Sequence, residues 1–179
     1  MVDVPLPFLA AGRIKGGGYD DTCLARYHSP QLTDQSKRQA TEDIFKKLMK
    51  ATATRQDFGP GAKIRLQWQD GTVCCLRDAS GSLLFCLVTT QSTYPERRAW
   101  DLLNEFASSV VKCQNYATCG EFMLEEELSP VMRQLIETYS QAGESRASME
   151  VSTMAAQRAS KFHQNQTCCQ RCTNSCAVM

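Results

Sequence analysis

The fold of this chain is decided by residues 63–88, which read KIRLQWQDGTVCCLRDASGSLLFCLV. Ile64, Leu66 and Trp68 alternate with polar side chains, and this period of two is typical of a strand that buries one face. Two turn signals divide the remaining residues into two further strand-like runs. The stretch therefore predicts a three-stranded antiparallel meander.

The turns and the last run specify the meander further. Asp70-Gly71 predicts a two-residue hairpin turn, because a type I′ turn needs positive φ at both positions. Residues 72–77 then return as the partner strand, and residues 78–81 turn again. Residues 83–88 are apolar at every position, so we expect this strand to be covered on both faces at the centre of the sheet.

A helix with a basic outer face is predicted before the meander. Thr33 or Asp34 is its N-cap, and it runs to about Ala51. A basic face of this kind can touch acidic lipid head groups, but a solvated face is the commoner reason for such a pattern. The apolar stripe is Ala40, Ile44, Leu48 and Ala51, with Phe45 and Met49 beside it, and the basic residues are Lys37, Arg38, Lys46, Lys47 and Lys50.

Two more helices follow the meander. Thr93 and Glu96 fit an S/T-x-x-E capping box, in which each side chain satisfies a free amide at the helix start. Ser129-Pro130 opens the third helix, and Gly143 stands where its C-cap would fall. The second helix carries an apolar stripe that we expect to pack on the sheet. The stripe is Ala99, Leu102, Leu103, Phe106 and Val110.

Residues 1–30 contain two weaker strand patterns. Pro5 and Pro7 demote the apolar run of residues 2–11 to an edge strand or an irregular extension. Residues 23–27 are predicted to form a second short strand. Together with the meander and the helices, these patterns predict an α+β architecture.

Composition bounds the class of function. The chain has 179 residues and a net charge of +1, so nothing favours nucleic-acid binding. Its ten cysteines follow no recognisable secretory signal, so we expect a reducing, cytosolic compartment and free thiols. His28 and His163 stand in unrelated contexts, and no catalytic triad, nucleophile elbow or metal-binding helix pattern is present. We therefore expect no enzyme activity and no cofactor.

The last four residues, Cys176-Ala177-Val178-Met179, match the Cys-a-a-X pattern of a prenylation box. A terminal methionine in this pattern favours farnesyl. One prenyl chain binds a bilayer only marginally, so a second signal is expected. The candidate palmitoylation sites are Cys168, Cys169 and Cys172. These cysteines also permit a zinc site or a redox pair, but they lack a second ligand pair and a tuning helix. We expect lipid attachment and no metal.

Residues 77–106 carry the run RDASGSLLFCLVTTQSTYPERRAWDLLNEF. This run resembles the strand, Tyr-Pro turn and second helix of the longin domain of R-SNAREs, and residues 133–141 resemble its third helix. The resemblance covers roughly residues 20–143, and the Cys-a-a-Met end resembles that of farnesylated R-SNAREs. It implies a longin-like (profilin-like) antiparallel sheet of about five strands, flanked by helices on both faces.

The resemblance also implies three regions and one binding site. Residues 1–143 form the longin-like domain, residues 144–167 a shortened SNARE-like or flexible helical segment of marginal order, and residues 168–179 the lipid-anchor tail. The middle segment is too short for the heptads of a full SNARE motif. In longins, a groove between the first helix and the adjoining strand binds a SNARE segment, an intramolecular tail or lipid. Here the groove would consist of Ile44, Phe45, Leu48, Ile64, Leu66 and Trp68.

These observations predict a lipid-anchored, longin/SNARE-like protein that acts in vesicle trafficking or membrane fusion through protein–protein contacts. Its expected partners are SNARE or trafficking proteins, the membrane and its own tail. Its expected location is the cytoplasm and the cytoplasmic face of Golgi, vesicle or plasma membranes. One alternative is a divergent R-SNARE whose residues 144–167 enter a four-helix fusion bundle, although neither Arg146 nor Arg158 has enough helix on both sides to serve as its central layer. Another is a protein whose cysteine tail binds metal.

Overall fold

The computed structural model describes residues 5–14, 21–54 and 58–140. Three predictions fall on later residues, and they lie outside the described part of the chain. These are the C-cap at Gly143, the helical segment 144–167 and the lipid-anchor cysteines Cys168, Cys169, Cys172 and Cys176.

Five strands form one antiparallel sheet, which confirms the predicted α+β fold class. The strands are β1 (Phe8–Arg13), β2 (Thr22–His28), β3 (Lys63–Trp68), β4 (Gly71–Arg77) and β5 (Leu83–Thr89). Their order across the sheet is β2-β1-β5-β4-β3. β5 is the central strand, as its uninterrupted apolar sequence predicts, and every one of its residues is buried.

β1 is neither the edge strand nor the irregular extension that Pro5 and Pro7 suggest. It pairs with β2 on one side and with β5 on the other, and all its residues are buried. Both prolines stand before the first residue of β1, so neither removes a hydrogen bond from the sheet. The short strand predicted at residues 23–27 is confirmed as β2, and it forms one edge of the sheet.

Helices cover both faces of the sheet. α1 (Gln35–Thr54) lies on one face, where Phe45 and Met49 share a core cluster with Phe8 and Val88. On the opposite face, α2 (Glu96–Lys112) and α3 (residues 125–140) share a larger cluster with the other side of the strands. Members of this second cluster include Leu9, Phe85, Leu102, Phe106 and Met132.

α1 begins where the sequence predicts. Asp34 Oδ1 accepts hydrogen bonds from the backbone amides of Ser36 (2.9 Å) and Lys37 (3.3 Å). Of the two candidate residues, Asp34 is therefore the N-cap. The helix continues beyond the predicted end at Ala51 and reaches Thr54.

The buried face of α1 differs from the predicted stripe. The residues that face the sheet are Thr41, Phe45, Met49 and Thr52. The predicted stripe lies to one side of them and is half-buried. Sequence patterns miss this face because the hydroxyls of Thr41 and Thr52 each donate to a carbonyl of α1 itself, at 2.7 Å. Two satisfied threonines thus occupy core positions that a search for apolar residues passes over.

The turn between β3 and β4 lies one residue earlier than predicted. Trp68 pairs with Gly71, so the two loop residues are Gln69 and Asp70, and Gln69 has a φ of 51°. Gly71 instead begins β4, where an added Cβ would lie 1.8 Å from the carbonyl oxygen of Thr89. A close backbone approach, and not the turn, therefore requires this glycine.

α2 begins without the predicted capping box. The N-cap is Pro95, so Thr93 lies outside the helix, and no side chain caps the first turn. The carbonyl of Pro95 accepts the amide of Ala99 at 3.2 Å, while the Glu96 carboxylate accepts the indole N–H of Trp100 at 3.0 Å. The predicted apolar stripe of α2 is confirmed, because all its residues are buried.

α3 begins at residue 125, before the predicted start at Ser129-Pro130. The amide of Leu128 donates to the carbonyl of Leu124 at 2.9 Å, and both leucines are buried in the core. Their burial fixes the first turn of the helix earlier in the chain. The Ser-Pro pair consequently falls inside α3.

Two tyrosines tie α3 to α2 and to the loop after β5. Tyr94 Oη donates to the carbonyl of Tyr139 at 3.2 Å, and Tyr139 Oη donates to the Glu105 carboxylate at 2.6 Å. Burial raises the pKa of Tyr94 to about 12, so its hydroxyl keeps the proton that it donates. The last described turn of α3 is thereby held at two points.

Candidate interaction site

The residues of the predicted groove lie around the edge strand β3. Leu66 is 40% exposed, while four of its predicted neighbours are half-buried against the core cluster under α1. Phe45 is only 2% exposed and belongs to that cluster, so it supports the groove from below and does not line it. The lining residues, here called the β3 groove, are Ile44, Leu48, Ile64, Leu66 and Trp68.

The backbone of β3 presents polar groups along the open edge. The amide of Arg77 donates to the carbonyl of Ala62 at 2.9 Å, which fixes the phase of the β3–β4 ladder. Hydrogen-bonded positions alternate in an antiparallel pair. The amides and carbonyls of Lys63, Arg65 and Gln67 therefore point away from β4. Among the described residues, no backbone hydrogen bond covers them.

Contacts on the α2 side hold β3 in place. Arg65 Nη2 donates to the carbonyls of Ser92 (2.9 Å) and Tyr94 (3.1 Å), and its Nη1 lies 3.5 Å from the Glu96 carboxylate. The ammonium of Lys63 lies 5.7 Å from the ring centre of a tryptophan on α2. The polar side chains of β3 are thus engaged on one face, and its apolar side chains face the groove on the other.

The opposite edge of the sheet is closed by the loop before α3. The amides of Phe122 and Leu124 donate to the carbonyls of Cys23 (2.8 Å) and Leu24 (3.2 Å) on β2. These bonds satisfy the outer side of β2 at its first residues. The loop therefore occupies the place of a sixth strand for a short distance.

A polar cleft of about 290 Å³ lies beside this closed edge, where β2, α1 and α3 meet. Arg26 forms an ion pair with Glu42 and lies 3.7 Å from the Glu125 carboxylate. Its guanidinium carbon is 4.3 Å from the ring centre of Phe122. The walls of the cleft are polar side chains that pair with one another. Its lining consists of Arg26, Tyr27, His28, Gln35, Arg38, Glu42, Glu125 and Ser129.

His28 is the histidine of this cleft. Burial lowers the pKa of His28, although the nearby Glu42 carboxylate acts in the opposite direction. Its Nε2 lies 3.3 Å from the Thr41 hydroxyl, which itself donates to the carbonyl of Arg38. This contact joins β2 to α1.

Five of the six cysteines in the described residues are buried and behave as small apolar groups, and Cys119 is half-buried. Burial raises the pKa of the Cys23 thiol to about 12 and that of Cys74 to about 11. Thiolates are therefore scarce there at neutral pH, and the thiols are poor nucleophiles. In residues 5–14, 21–54 and 58–140, no group of His, Cys, Asp and Glu side chains is arranged to hold a metal ion.

The groove is a prediction from the longin resemblance, and the cleft at the other edge was not predicted from the sequence. Helix and strand spacing indicates the elements to which the groove residues belong, and the resemblance alone implies their binding role. Arg26 and Glu42 belong to different elements and are joined only by the fold. No local spacing signals such a pair.

Among the described residues, no helix is both long and apolar enough to cross a membrane. A scan against protein-family models and a search of curated proteins find no match. The described residues form an α+β domain with a five-stranded antiparallel sheet and three helices.

Proposed function

We propose that this protein is a lipid-anchored, longin-type SNARE-like adaptor that acts in vesicle trafficking through protein contacts. The observation that carries the proposal is the β3 groove, in which the exposed Leu66 lies next to half-buried apolar side chains on an uncovered strand edge. The sheet of five strands with helices on both faces is consistent with the longin resemblance of residues 77–106.

The β3 groove suits a segment of another trafficking protein, such as a SNARE motif. Its apolar side chains, on the α1 side of the strand, can take the apolar face of a helix or alternate side chains of an extended peptide. An extended segment would also bond to the outward backbone groups of Lys63, Arg65 and Gln67. Residues 144–167 of this chain are a second candidate occupant, which competes with the first in a binding assay.

The groove proposal is tested by replacing Leu66 with aspartate and measuring the affinity for a panel of SNARE-motif peptides. Burying a leucine contributes about 1.5–3 kcal/mol, so we expect binding to weaken by about tenfold or more. Val111→Asp is the matched control, because Val111 is 50% exposed on α2, on the other face of the sheet. Equal weakening by both variants, or no binding by the parent protein, contradicts the proposal.

The lipid anchor is the second part of the proposal and is tested separately. The Cys-a-a-Met pattern at Cys176 supports a farnesyl group, and Cys168, Cys169 and Cys172 are candidates for palmitate. Mass spectrometry of protein from its native cell should find a C-terminal peptide that is cleaved after Cys176 and carries an isoprenoid. An intact, unmodified Cys176-Ala177-Val178-Met179 end removes the anchor and leaves the groove test unaffected.

A further inference from the structure

The two faces of the domain carry opposite charge. α1 has five basic and two acidic residues, an excess of three positive charges. Residues 121–140, which include α3, have five glutamates and one arginine, an excess of four negative charges. α2 is balanced, with three residues of each sign. Although the chain as a whole is nearly neutral, the α1 face is therefore positive and the α3 face is negative.

The acidic residues of α1 do not neutralise its outer surface. Glu42 is turned toward β2, where it pairs with Arg26. Asp43 accepts a hydrogen bond from the Gln39 amide at 2.9 Å. Asp43 is exposed and keeps its charge, so the outer surface of the second half of α1 has three lysines, Lys46, Lys47 and Lys50, against one aspartate, an excess of two positive charges.

Three lysines project from the second half of α1. Lys46, Lys47 and Lys50 are all exposed. None of them lies within ion-pair distance of a carboxylate in the part of the chain that the structure describes. On a helix, positions 46, 47 and 50 lie away from the buried Phe45 and Met49, so the ammonium groups point to solvent.

We propose that this outer face of α1 docks on the surface of an anionic lipid bilayer. Lysines are point charges without a fixed acceptor geometry, and they suit a diffuse array of lipid phosphates and carboxylates. The inference goes beyond the proposed adaptor function, because it requires neither the lipid anchor nor a protein partner.

The charge separation also sets the orientation of the docked domain. Glu125 lies at the β2 edge, beside Arg26. Glu126, Glu127 and Glu137 belong to α3, which packs on the other face of the sheet, where an anionic surface repels them. Turning the domain over would bring these carboxylates to the bilayer. The same field therefore attracts one face and rejects the other.

The experiment uses the unprenylated full chain and two kinds of vesicle, phosphatidylcholine alone and phosphatidylcholine with about 30% phosphatidylserine. Co-sedimentation should detect binding to the anionic vesicles only, and added salt should weaken it. A variant with Lys46→Gln, Lys47→Gln and Lys50→Gln should lose about fivefold in affinity per lysine, or about 100-fold in all.

The matched control removes the same charge from the other face of the sheet. Arg97→Gln, Lys112→Gln and Arg133→Gln change three exposed basic residues on α2 and α3. This control should bind anionic vesicles within about twofold of the parent chain. Both variants replace exposed side chains, and thermal melts will verify that each is folded.

Three outcomes overturn the inference. They are an absence of binding to anionic vesicles, binding that salt does not weaken, and equal losses in the two variants. Sedimentation velocity separates a competing explanation, in which the lysines meet the acidic face of a second copy. Self-association that requires the lysines, without vesicle binding, assigns the surface to that copy and rejects the bilayer. None of these results depends on Cys176 or on SNARE-motif binding, so the proposed function is judged separately.

Discussion

The two edge strands of the sheet differ in the partners of their outward backbone groups. At the β2 edge, the loop before α3 donates backbone hydrogen bonds to the strand, and Arg26 joins β2 to α1 and α3. At the β3 edge, no described segment bonds to the outward backbone groups, and Leu66 is exposed beside them. Within the described residues, the β2 edge is completed by backbone hydrogen bonds and the β3 edge is not.

The comparison explains why only one edge is proposed as a docking site. An open strand edge is a template for unwanted pairing, and proteins commonly place charged residues on it. β3 carries Lys63 and Arg65, whose side chains are held on the α2 side. The strand thus resists indiscriminate pairing and still keeps an apolar face toward α1.

The largest expected effect comes from replacing Gly71, the first residue of β4. Gly71→Ala places a Cβ 1.8 Å from the backbone oxygen of Thr89 on β5, and neither β4 nor β5 can move without breaking the sheet. We expect a loss of about 3 kcal/mol in the free energy of unfolding, measured by urea denaturation. Gly59→Ala is the control, because nothing lies within 4 Å of its added Cβ. Equal stability of the two variants would show that the close approach is wrong.

The second prediction compares the stability contributions of two ion pairs, one at the β2 edge and one at the β3 edge. Glu42→Gln weakens the pairing of Arg26 at a carboxylate whose side chain is 17% exposed, and we expect a loss of about 1 kcal/mol in stability. Glu96→Gln changes a pair with Arg65 in which the glutamate is 56% exposed, and we expect less than about 0.5 kcal/mol. Denaturation curves for both variants test the ranking, and a larger loss for Glu96→Gln reverses it.

A smaller effect is the pH dependence contributed by the closed edge. The pKa of His28 lies below its usual value of 6.5 in the folded protein. As the pH falls through 6.5, the unfolded chain therefore takes up a proton that the folded protein does not, and the free energy of unfolding decreases. The contribution is fully present above pH 6.5 and is lost on acidification. His28→Gln should flatten this part of the stability–pH curve, and parallel curves would contradict the assignment.

The smallest effect is expected at the open edge. Leu66→Thr keeps a residue that favours strands and removes an exposed apolar side chain. Its free energy of unfolding should change by no more than about 0.5 kcal/mol. A thermal melt well below that of the parent protein would mean that Leu66 supports the domain, in which case the groove assay could not separate binding from folding.

The sequence predicts this fold best where one local pattern has one cause. β5 is apolar from Leu83 to Val88 because both of its faces are covered, and the α2 stripe is unbroken because it packs on the sheet. It predicts less well where a side chain is satisfied locally, as with Thr41 and Thr52 in the buried face of α1.

Other differences arise where the cause is distant in the chain. Gly71 resembles a turn residue, but its role is set by a carbonyl on β5. Pro5 and Pro7 resemble strand breakers, yet the strand begins just after them. The residues of the β3 groove follow local helix and strand patterns. The Arg26–Glu42 pair is made between β2 and α1, so no local pattern predicts it.

The tyrosine contacts at the end of α3 have a mechanical consequence. Tension on the main chain beyond residue 140 is delivered to Tyr139 first. Its carbonyl and hydroxyl bonds pass that load to Tyr94 and to Glu105 of α2. Tyr94 follows the central strand β5, and its carbonyl accepts a hydrogen bond from Arg65 of β3 at 3.1 Å. A pull on the segment beyond residue 140 is therefore transmitted to the strand that carries the open edge.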